Sequence, residues 1–308
     1  MNRILEQIPI IGRYCKSVEM TKGFSSDKKY CIHLPEGEKV LLRIFHKGEY
    51  DSKQVEYSML EKLKACGVAC ANPVEMGVIG DRGYMVTSYI DGQDAEENIQ
   101  TYSLQEQYDL GYRAGKELKR MHQIPAPAHI ASWYKRKVEK HKNYIDAYVA
   151  CGIKITHDDK IMRFIDDHIH LMKQRPNMFQ HDDFHLGNII VNERQFAGVV
   201  DFNRYDWGDP IHEFLKVGMF TREVSIPFSK GQIKGYFRNQ EPDETFWTLY
   251  ALYLAMCVFS TVVWTLQTVP DRLSDMLDKI YVVLDDHNYF ADVKPKWYES
   301  VADISQHK

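Results

Sequence analysis

Up to Asp91, short runs that alternate between apolar and polar positions predict β-strands around a single helix. The predicted strands are Lys29–Leu34, Val40–Phe45, Val74–Ile79 and Tyr84–Ile90, and the predicted helix is Gln54–Ala65. The turn Pro35–Glu38 joins the first two strands into a hairpin, and Gly67 is expected to close the helix near its C-terminus.

Beyond Asp91 the apolar positions recur with helical spacing. The predicted helices are Tyr108–His122, Trp133–Ala150 and Asp158–Lys173, followed by a strand–loop–strand segment over Met178–Asp201 and by further helices to about residue 290. We therefore expect an α+β fold of two lobes, with a small β-rich N-lobe (residues 1–91), a larger helical C-lobe (residues 92–308) and a cleft between them.

One stretch is apolar enough to resemble a membrane span. Phe246–Val269 contains no charged residue. Hydroxyl and amide side chains interrupt it, however, and its Tyr and Trp residues are spread along it instead of standing at its ends. We interpret it as a helix buried in the centre of the C-lobe and expect no membrane partner.

Composition and charge exclude some classes of function. The 308 residues are 44 % hydrophobic and 27 % charged, with a formal net charge of -4, which does not favour nucleic-acid binding. Residues 1–91 contain 13 basic and 12 acidic side chains, whereas the remainder contains 26 basic and 31 acidic ones. The acidic excess suits a cationic small molecule, although solubility alone also explains it.

The cysteines indicate a reducing environment. The six cysteines show no CxxC spacing, and a chain of this size does not need disulfides to fold. Cys66 and Cys70 have no further Cys or His nearby in the sequence with which to form a zinc site. We expect reduced thiols and a cytoplasmic protein.

The residues that carry chemistry lie in the segment QHDDFHLGNIIV (180–191), followed by GVVDFN (198–203). Phosphoryl transfer needs one carboxylate to orient the attacking hydroxyl, and oxygen ligands for magnesium. Asp183 and Asn188 share one loop, and Asp201 follows after a strand and a turn. A hairpin between Ile189–Val191 and Val199–Val200 would bring Asn188 and Asp201 side by side.

These motifs resemble those of the aminoglycoside phosphotransferase family, a group of protein-kinase-like small-molecule kinases near the choline and macrolide kinases. The catalytic loop H-G-D-x-x-x-x-N of that family is matched by His181, Asp183 and Asn188, with Asp182 in place of the usual Gly. Its metal-binding motif reappears as Val200–Phe202, its G-D-P as Gly208–Pro210, and its L-x-x-[LM]-H as Leu118–His122. The resemblance extends over nearly the whole chain and implies a bilobal protein-kinase-like fold.

The resemblance also implies roles for single residues. Asp183 is the expected catalytic carboxylate, and His181 is expected to support its loop. Asn188 and Asp201 are the expected Mg²⁺ ligands. The expected nucleotide-binding residues, for ATP or GTP as co-substrate, are Arg43, Glu56, Gly23, Ser25 and Ser26. The acceptor is expected to be a hydroxylated and cationic small molecule, first of all an aminoglycoside, with choline, an amino sugar or a macrolide as alternatives. Antibiotic resistance is one biological role considered, and a housekeeping kinase is the other.

Two positions depart from the expected pattern. The strand cation is Arg43, where protein kinases have a lysine; arginine binds phosphate in a bidentate way but with different reach. Asp182 places a second carboxylate beside Asp183, either turned away, paired, or in contact with a cationic substrate.

Other interpretations remain open at this stage. The pattern His181-x-Asp183-x-His185, with Asp201, is also compatible with a metal-dependent hydrolase, and the whole chain with a nucleotide-binding pseudokinase. Arg43 and Glu56 could be ordinary surface residues, and Gly23 could be a simple turn glycine.

Asp209 is expected to cap a helix, since it precedes a proline. The carboxylates considered for substrate binding are Asp206, Glu213, Glu241, Asp243 and Glu244, and the aromatic candidates are Tyr205, Trp207 and Trp264.

Overall fold

A computed structural model describes residues 2–21 and 26–300 of the chain. These residues divide into two compact units. The first contains the described residues up to Gln93, together with residues 190–193 and 197–203. The second contains residues 94–189 and 194–196 and the described residues from Arg204 onwards.

The first unit is built on a five-stranded antiparallel sheet with the strand order β1–β2–β3–β5–β4. Its elements are α1 (Asn2–Leu5), β1 (Lys16–Met20), β2 (Lys28–His33), β3 (Lys39–His46), α2 (Tyr50–Ala65), β4 (Pro73–Ile79) and β5 (Arg82–Ser88). Alternate side chains such as Ile32, Leu42 and Val86 are fully buried in the core of this unit. The predicted strands and hairpin are confirmed. The edge strand β1 was not predicted, because it lacks a regular apolar alternation.

Helix α2 ends where the sequence predicted. The amide of Gly67 donates to the carbonyl of Lys64 (2.9 Å), and the amide of Val68 donates to that of Leu63 (3.1 Å). Gly67 has φ 73°, a left-handed conformation that glycine adopts without a steric penalty. The helix begins four residues before the predicted start at Gln54.

The second unit is mainly helical. Along the chain beyond β5 the elements are β6 (Gln93–Asp94), α3 (Ala95–Asn98), α4 (Leu104–Met121), α5 (Trp133–Ala150), α6 (Asp158–His168), β7 (Met178–Gln180), β8 (Ile189–Asn192), β9 (Gln195–Val199), β10 (Asp206–Gly208), α7 (Arg222–Val224), α8 (Ile226–Tyr236), α9 (Glu244–Thr268), α10 (Leu273–Asp286) and α11 (Lys296–Ser300). Strands β7 and β10 pair antiparallel, and β6, β8 and β9 form a three-stranded sheet. The residues of the β8–β9 hairpin are divided between the two units. The predicted α+β fold class is confirmed.

Local signals explain where the helices begin and end. Helix α5 has the predicted bounds, and the hydroxyl of Ser132 accepts from the amide of Lys135 at its start. Helix α4 begins earlier than predicted because Ser103 and Glu106 form a reciprocal capping box. The single helix predicted over Asp158–Lys173 is wrong in its second half, where the chain tightens into a 3₁₀ helix.

Helices α4 and α8 approach each other closely along four glycines. A Cβ atom on Gly111 would lie 2.0 Å from the carbonyl oxygen of Phe228, and one on Gly115 would lie 2.0 Å from that of Gln232. Gly231 and Gly235 on α8 face α4 in the same way. The two backbones are therefore in contact, and no larger side chain fits between them.

The apolar stretch forms helix α9. Among the described residues it is the one helix long and apolar enough to cross a membrane, and 78 % of its most apolar window is buried inside the protein. Tyr253 on this helix accepts a hydrogen bond from Trp133 of α5 and donates one to Asp209. This pattern is that of a core helix and agrees with the interpretation from the sequence.

Candidate active site

The loop between β7 and β8 is held in shape by its own side chains. The amide of Asp183 donates to Nδ1 of His181 (3.3 Å), and the amide of Gly187 donates to Nδ1 of His185 (3.1 Å). Nδ2 of Asn188 donates to the carbonyl oxygen of Asp183 (2.9 Å). Because His181 is fully buried and strand β8 follows directly, the loop is fixed at both ends.

The carboxylate of Asp183 is kept ionised by two neighbours. Nζ of Lys216 donates to its Oδ1 (2.9 Å), and Nε2 of His185 lies 3.5 Å from the same oxygen. Burial alone would raise the pKa of Asp183, but the hydrogen bond with His185 and the charge of Lys216 outweigh it and hold the pKa well below its ordinary value. Asp183 can therefore accept a hydrogen bond from a substrate hydroxyl throughout the physiological pH range.

Asp182 occupies a backbone position that favours glycine. Its φ is 64°, in the left-handed region, which explains why glycine usually stands here in the family that the motif resembles. Burial and the nearby Glu213 raise the pKa of Asp182 to about 6, even though lysines around it act in the opposite direction.

A buried group of polar side chains lies against the catalytic loop. Glu213 is 2 % exposed, and its Oε2 lies 3.8 Å from Nε2 of His122, whose Nδ1 is 3.0 Å from the hydroxyl of Tyr236. Burial alone would raise the pKa of Glu213, but the hydrogen bond and charge of His122 lower it. The expectation that Glu213 faces a substrate is therefore wrong, because this carboxylate is enclosed in the core.

The other candidate carboxylates for substrate binding already have roles within the protein. Asp206 pairs with Arg136, Glu241 pairs with Lys234, and Asp243 caps α9 by accepting from the amide of Phe246. Glu244 stands in the first turn of α9. Of the aromatic candidates, Trp207 is buried, Tyr205 stacks on Phe179, and Trp264 is exposed.

Asp209 has the structural role that the sequence suggested. Its side chain accepts from the amide of Ile211 at the start of the 3₁₀ helix Pro210–Phe214. It also receives a bidentate pair of hydrogen bonds from Arg175, at 2.8 and 2.9 Å. Because Asp209 is fully buried, this pair compensates its charge.

The first unit contains a buried ion-pair cluster around Arg43. Its Nε and Nη2 donate to Asp27 at 2.8 and 2.6 Å, and its Nη1 donates to Glu56. Lys53 donates to both oxygens of Asp27 at 2.9 and 2.7 Å. Arg43, Asp27 and Glu56 are all buried, so the interpretation of Arg43 and Glu56 as ordinary surface residues is wrong. Burial alone would raise the pKa of Asp27, but Lys53 and Arg43 lower it.

The phosphate-binding loop predicted at Lys22–Lys28 is only partly described. Gly23 and Ser25 lie outside the described residues, whereas Ser26 is described and exposed. Their contacts with a nucleotide, like those of Arg43 and Glu56, stay predictions.

The two expected magnesium ligands fit a hard cation by their chemistry. Asn188 uses its Nδ2 for the loop, which leaves the amide oxygen for a metal. Asp201 is exposed, lies two residues beyond the end of β9 and has φ 68°. Asn188 belongs to the second unit and Asp201 to the first, so their joint binding of Mg²⁺ stays a prediction.

The metal-hydrolase interpretation has little support. Within residues 2–21 and 26–300, no group of three or more His, Cys, Asp or Glu side chains is arranged to hold a metal ion. His181 and His185 instead accept hydrogen bonds from backbone amides of their own loop.

Three charged residues that contact predicted site residues or their partners were not foreseen. Lys216 lies 33 residues beyond Asp183, in a segment with no motif of its own. In the first unit, Asp27 and Lys53 were likewise not singled out. Tertiary structure brings Lys216 to Asp183, and Asp27 and Lys53 to Arg43. From the sequence, the only signal was that the charges of Asp183 and Arg43 would each need a partner of opposite charge.

The mixed helix-and-sheet fold and the loop around Asp183 agree with the phosphotransferase motifs found in the sequence. The sequence model of the Phosphotransferase enzyme family matches residues 18–248, and the chain belongs to that family. A search of curated proteins finds no match.

Solved structures show the same fold at low sequence identity. A thermostable mutant of aminoglycoside phosphotransferase APH(4)-Ia, in a ternary complex with AMP-PNP and hygromycin B, has a TM-score of 0.68 and 12 % identity, covering 94 % of this chain and 99 % of that one. The gentamicin–APH(2'')-IIa complex has a TM-score of 0.61 and 15 % identity, covering 91 % and 94 %. The streptomycin–ATP–APH(2'')-IIa ternary complex has a TM-score of 0.61 and 18 % identity, covering 90 % and 96 %.

Proposed function

We propose that this phosphotransferase is a small-molecule kinase that transfers the γ-phosphoryl group of ATP or GTP to a hydroxyl group. The observation that carries the proposal is the state of Asp183, a carboxylate held ionised by Lys216 and His185 on a loop that also presents Asn188. This is the arrangement that phosphoryl transfer requires, since catalysis rests on positioning and electrostatics.

In the proposed reaction, the acceptor oxygen forms a bond to the γ-phosphorus while the bond from that phosphorus to the β–γ bridging oxygen breaks. The nucleoside diphosphate leaves with the electron pair of that bond. Asp183 orients the acceptor hydroxyl and takes its proton as the new bond forms. Lys216 holds the carboxylate in place before the proton moves.

Other residues of the chain bind and orient the reactants. Asn188 and Asp201 would hold Mg²⁺, which neutralises charge on the phosphates when bound. In the first unit, Arg43 is fixed by Asp27 and Glu56 and would contact phosphate with its remaining N–H groups. Gly23, Ser25 and Ser26 would cover the phosphates.

An aminoglycoside-like cation is the acceptor class that the sequence favours. The acidic excess beyond residue 91 supports it, and three similar structures are described as complexes with hygromycin B, gentamicin and streptomycin. The argument for a cationic acceptor is weakened because three candidate carboxylates already pair with basic side chains of the protein, namely Asp206, Glu213 and Glu241. We place the activity in the cytoplasm, in line with six free cysteines.

The test is nucleotide turnover with Mg²⁺ and ATP or GTP over a panel of hydroxylated acceptors, with the product mass measured. The panel contains aminoglycosides, choline, a macrolide, and neutral and acidic hydroxy compounds. Asp183→Asn is expected to lower kcat by about 10²–10⁴-fold, because the base is removed without a change of shape. The matched control Asp271→Asn, an exposed carboxylate next to α10, is expected to retain activity.

Two results would contradict the proposal. If the Asp183→Asn variant is as active as wild type, Asp183 is not the hydroxyl-orienting carboxylate. If nucleotide binds but no acceptor in the panel gains a phosphate, the protein is better described as a nucleotide-binding pseudokinase.

A further inference from the structure

Helix α5 carries a half-buried lysine that lacks a carboxylate partner. Nζ of Lys137 lies 2.8 Å from Nε2 of His212 and 5.5 Å from the centre of the Trp133 ring. In the described part of the chain, neither Lys137 nor Lys140 has a carboxylate oxygen within 4.0 Å of its Nζ. A partly desolvated ammonium group without an anion is unfavourable, and proteins normally pair it.

Three other buried or partly buried cations of the protein do have a carboxylate partner. Arg43 pairs with Asp27 and Glu56, Arg175 with Asp209, and Lys216 with Asp183. Lys137 instead donates to an imidazole. Burial and the nearby lysines, first of all Lys137, hold the pKa of His212 well below its ordinary value, so the ring is neutral.

Several basic side chains lie around Lys137 and His212, among them Lys140 and Lys216. Burial and the charge of Lys140 lower the pKa of Lys137 to about 8, and burial and Lys137 lower the pKa of His141 to about 4. Among carboxylates, Asp182 and Asp206 act on Lys137, and Glu213 acts on Asp182. Asp206 pairs with Arg136, and Asp183 pairs with Lys216. Lys137 and Lys140 therefore act on Asp182, whereas Asp183 and Asp206 already have basic partners.

These basic side chains lie beside the catalytic carboxylate and belong to the second unit. His212 and Lys216 stand on consecutive turns of the segment that follows Asp209, and Lys216 contacts Asp183 directly. Lys137 and Lys140 act on Asp182, the neighbour of Asp183 in sequence. The nucleotide contacts predicted around Arg43 belong to the first unit, whereas Lys137, Lys140 and Asp183 belong to the second.

We infer that the acceptor carries an anionic group, a carboxylate or a phosphate, which Lys137 and Lys140 bind beside Asp183. The inference rests on the proposed kinase function and specifies its substrate class. A polycationic aminoglycoside would place ammonium groups beside Lys137 and Lys140, whereas a hydroxy acid would supply the charge that Lys137 lacks. The acidic excess of the chain is a total over all residues, whereas the side chains named here, Lys137 and Lys140, are basic.

The first experiment measures binding independently of turnover. The protein is saturated with ADP and Mg²⁺ so that the nucleotide site is filled. Three probes that share a hydroxyethyl unit are then titrated by calorimetry: 3-hydroxypropionate (anionic), ethylene glycol (neutral) and choline (cationic). We expect 3-hydroxypropionate to bind best, and its Kd to rise about tenfold or more in Lys137→Gln and in Lys140→Gln, because each loses a charge-assisted contact.

The matched control is Lys142→Gln, an exposed lysine on the same helix that is expected to leave the Kd unchanged. Lys137→Met is a second variant of similar length, and the thermal unfolding of each protein shows whether it is folded. The inference is overturned if choline binds better than 3-hydroxypropionate, if the anion does not bind, or if its Kd is the same in the Lys137, Lys140 and Lys142 variants.

Turnover separates this inference from the kinase proposal. If cationic acceptors are phosphorylated and the Lys137 and Lys140 substitutions leave their KM unchanged or lower it, the enzyme is a kinase and the anion site is wrong. If the anion binds through Lys137 and Lys140 but no hydroxy acid is phosphorylated, the anion site stands and the kinase proposal is the part that fails.

Discussion

Asp182 is predicted to destabilise the protein at neutral pH, and its replacement should be stabilising. The pKa of its carboxyl rises from an ordinary value of 3.8 to about 6 on folding. At about 1.4 kcal/mol for each pKa unit, ionised Asp182 destabilises the native state by up to about 3 kcal/mol, and by about 2 kcal/mol once its partial exposure is considered. Asp182→Asn removes this charge, and Asp182→Gly also relieves the left-handed backbone.

The effect of Asp182 on the free energy of unfolding is expected to change with pH. Between pH 3.8 and about 6 the native state holds a proton on Asp182 that the unfolded chain has released, so stability falls as pH rises through this window. The advantage of Asp182→Asn should therefore be near zero around pH 4 and reach its full value above about pH 6.

Urea denaturation of wild type, Asp182→Asn and Asp182→Gly, near pH 4 and near pH 8, measures this difference. Asp271→Asn serves as an exposed control with no expected change. The reasoning is refuted if both Asp182 variants are less stable than wild type near pH 8. That result would mean that the surrounding lysines need this carboxylate more than its burial disfavours it.

Three further predictions concern other parts of the protein. In Arg43→Lys, the fork of donors is lost and Glu56 is left unpaired in the interior. We therefore expect the free energy of unfolding, measured with denaturant, to fall by about 3–5 kcal/mol, and a change below about 1 kcal/mol would contradict this. Lys216→Met should raise the pKa of Asp183, so the acid limb of the pH profile of kcat/KM should move to higher pH; an unmoved limb would show that Lys216 does not control the base. Gly111→Ala should lower the thermal midpoint through a loss of about 1–3 kcal/mol or more, because its Cβ meets a backbone carbonyl; an unchanged midpoint would show that α4 and α8 can separate freely.

The parts of the fold that follow local rules could be predicted from the sequence. Helix α5 was predicted with its observed bounds, since its start has a serine cap and its apolar spacing is regular. The catalytic loop was also recognisable, because Asp183 and Asn188 lie five residues apart and bond to each other within one turn. Strand β10 was not predicted, since it is only three residues long and depends on pairing with β7.

The charges around the site could not be predicted, because they depend on tertiary contacts. Lys137 and Lys216 look like ordinary helix-surface residues in the sequence, yet folding places one against His212 and the other against Asp183. Glu213 looked like a free carboxylate, but its position in the 3₁₀ helix after Asp209 turns it into the core. The sequence thus predicted the reaction class, whereas the partners of these charged side chains depend on the fold.

Directly after Lys216, residues Val217–Thr221 form a π-helical segment, in which each turn contains one residue more than in an α-helix. Buried side chains such as Val217 and Met219 fix this segment within the core. Because the extra residue is accommodated within one turn, deleting it would restore α-helical spacing and leave the two flanks in nearly the same relative orientation. A one-residue deletion within Val217–Thr221 is therefore expected to disturb the fold less than a deletion in a regular α-helix, where each lost residue rotates the following side chains by about 100°.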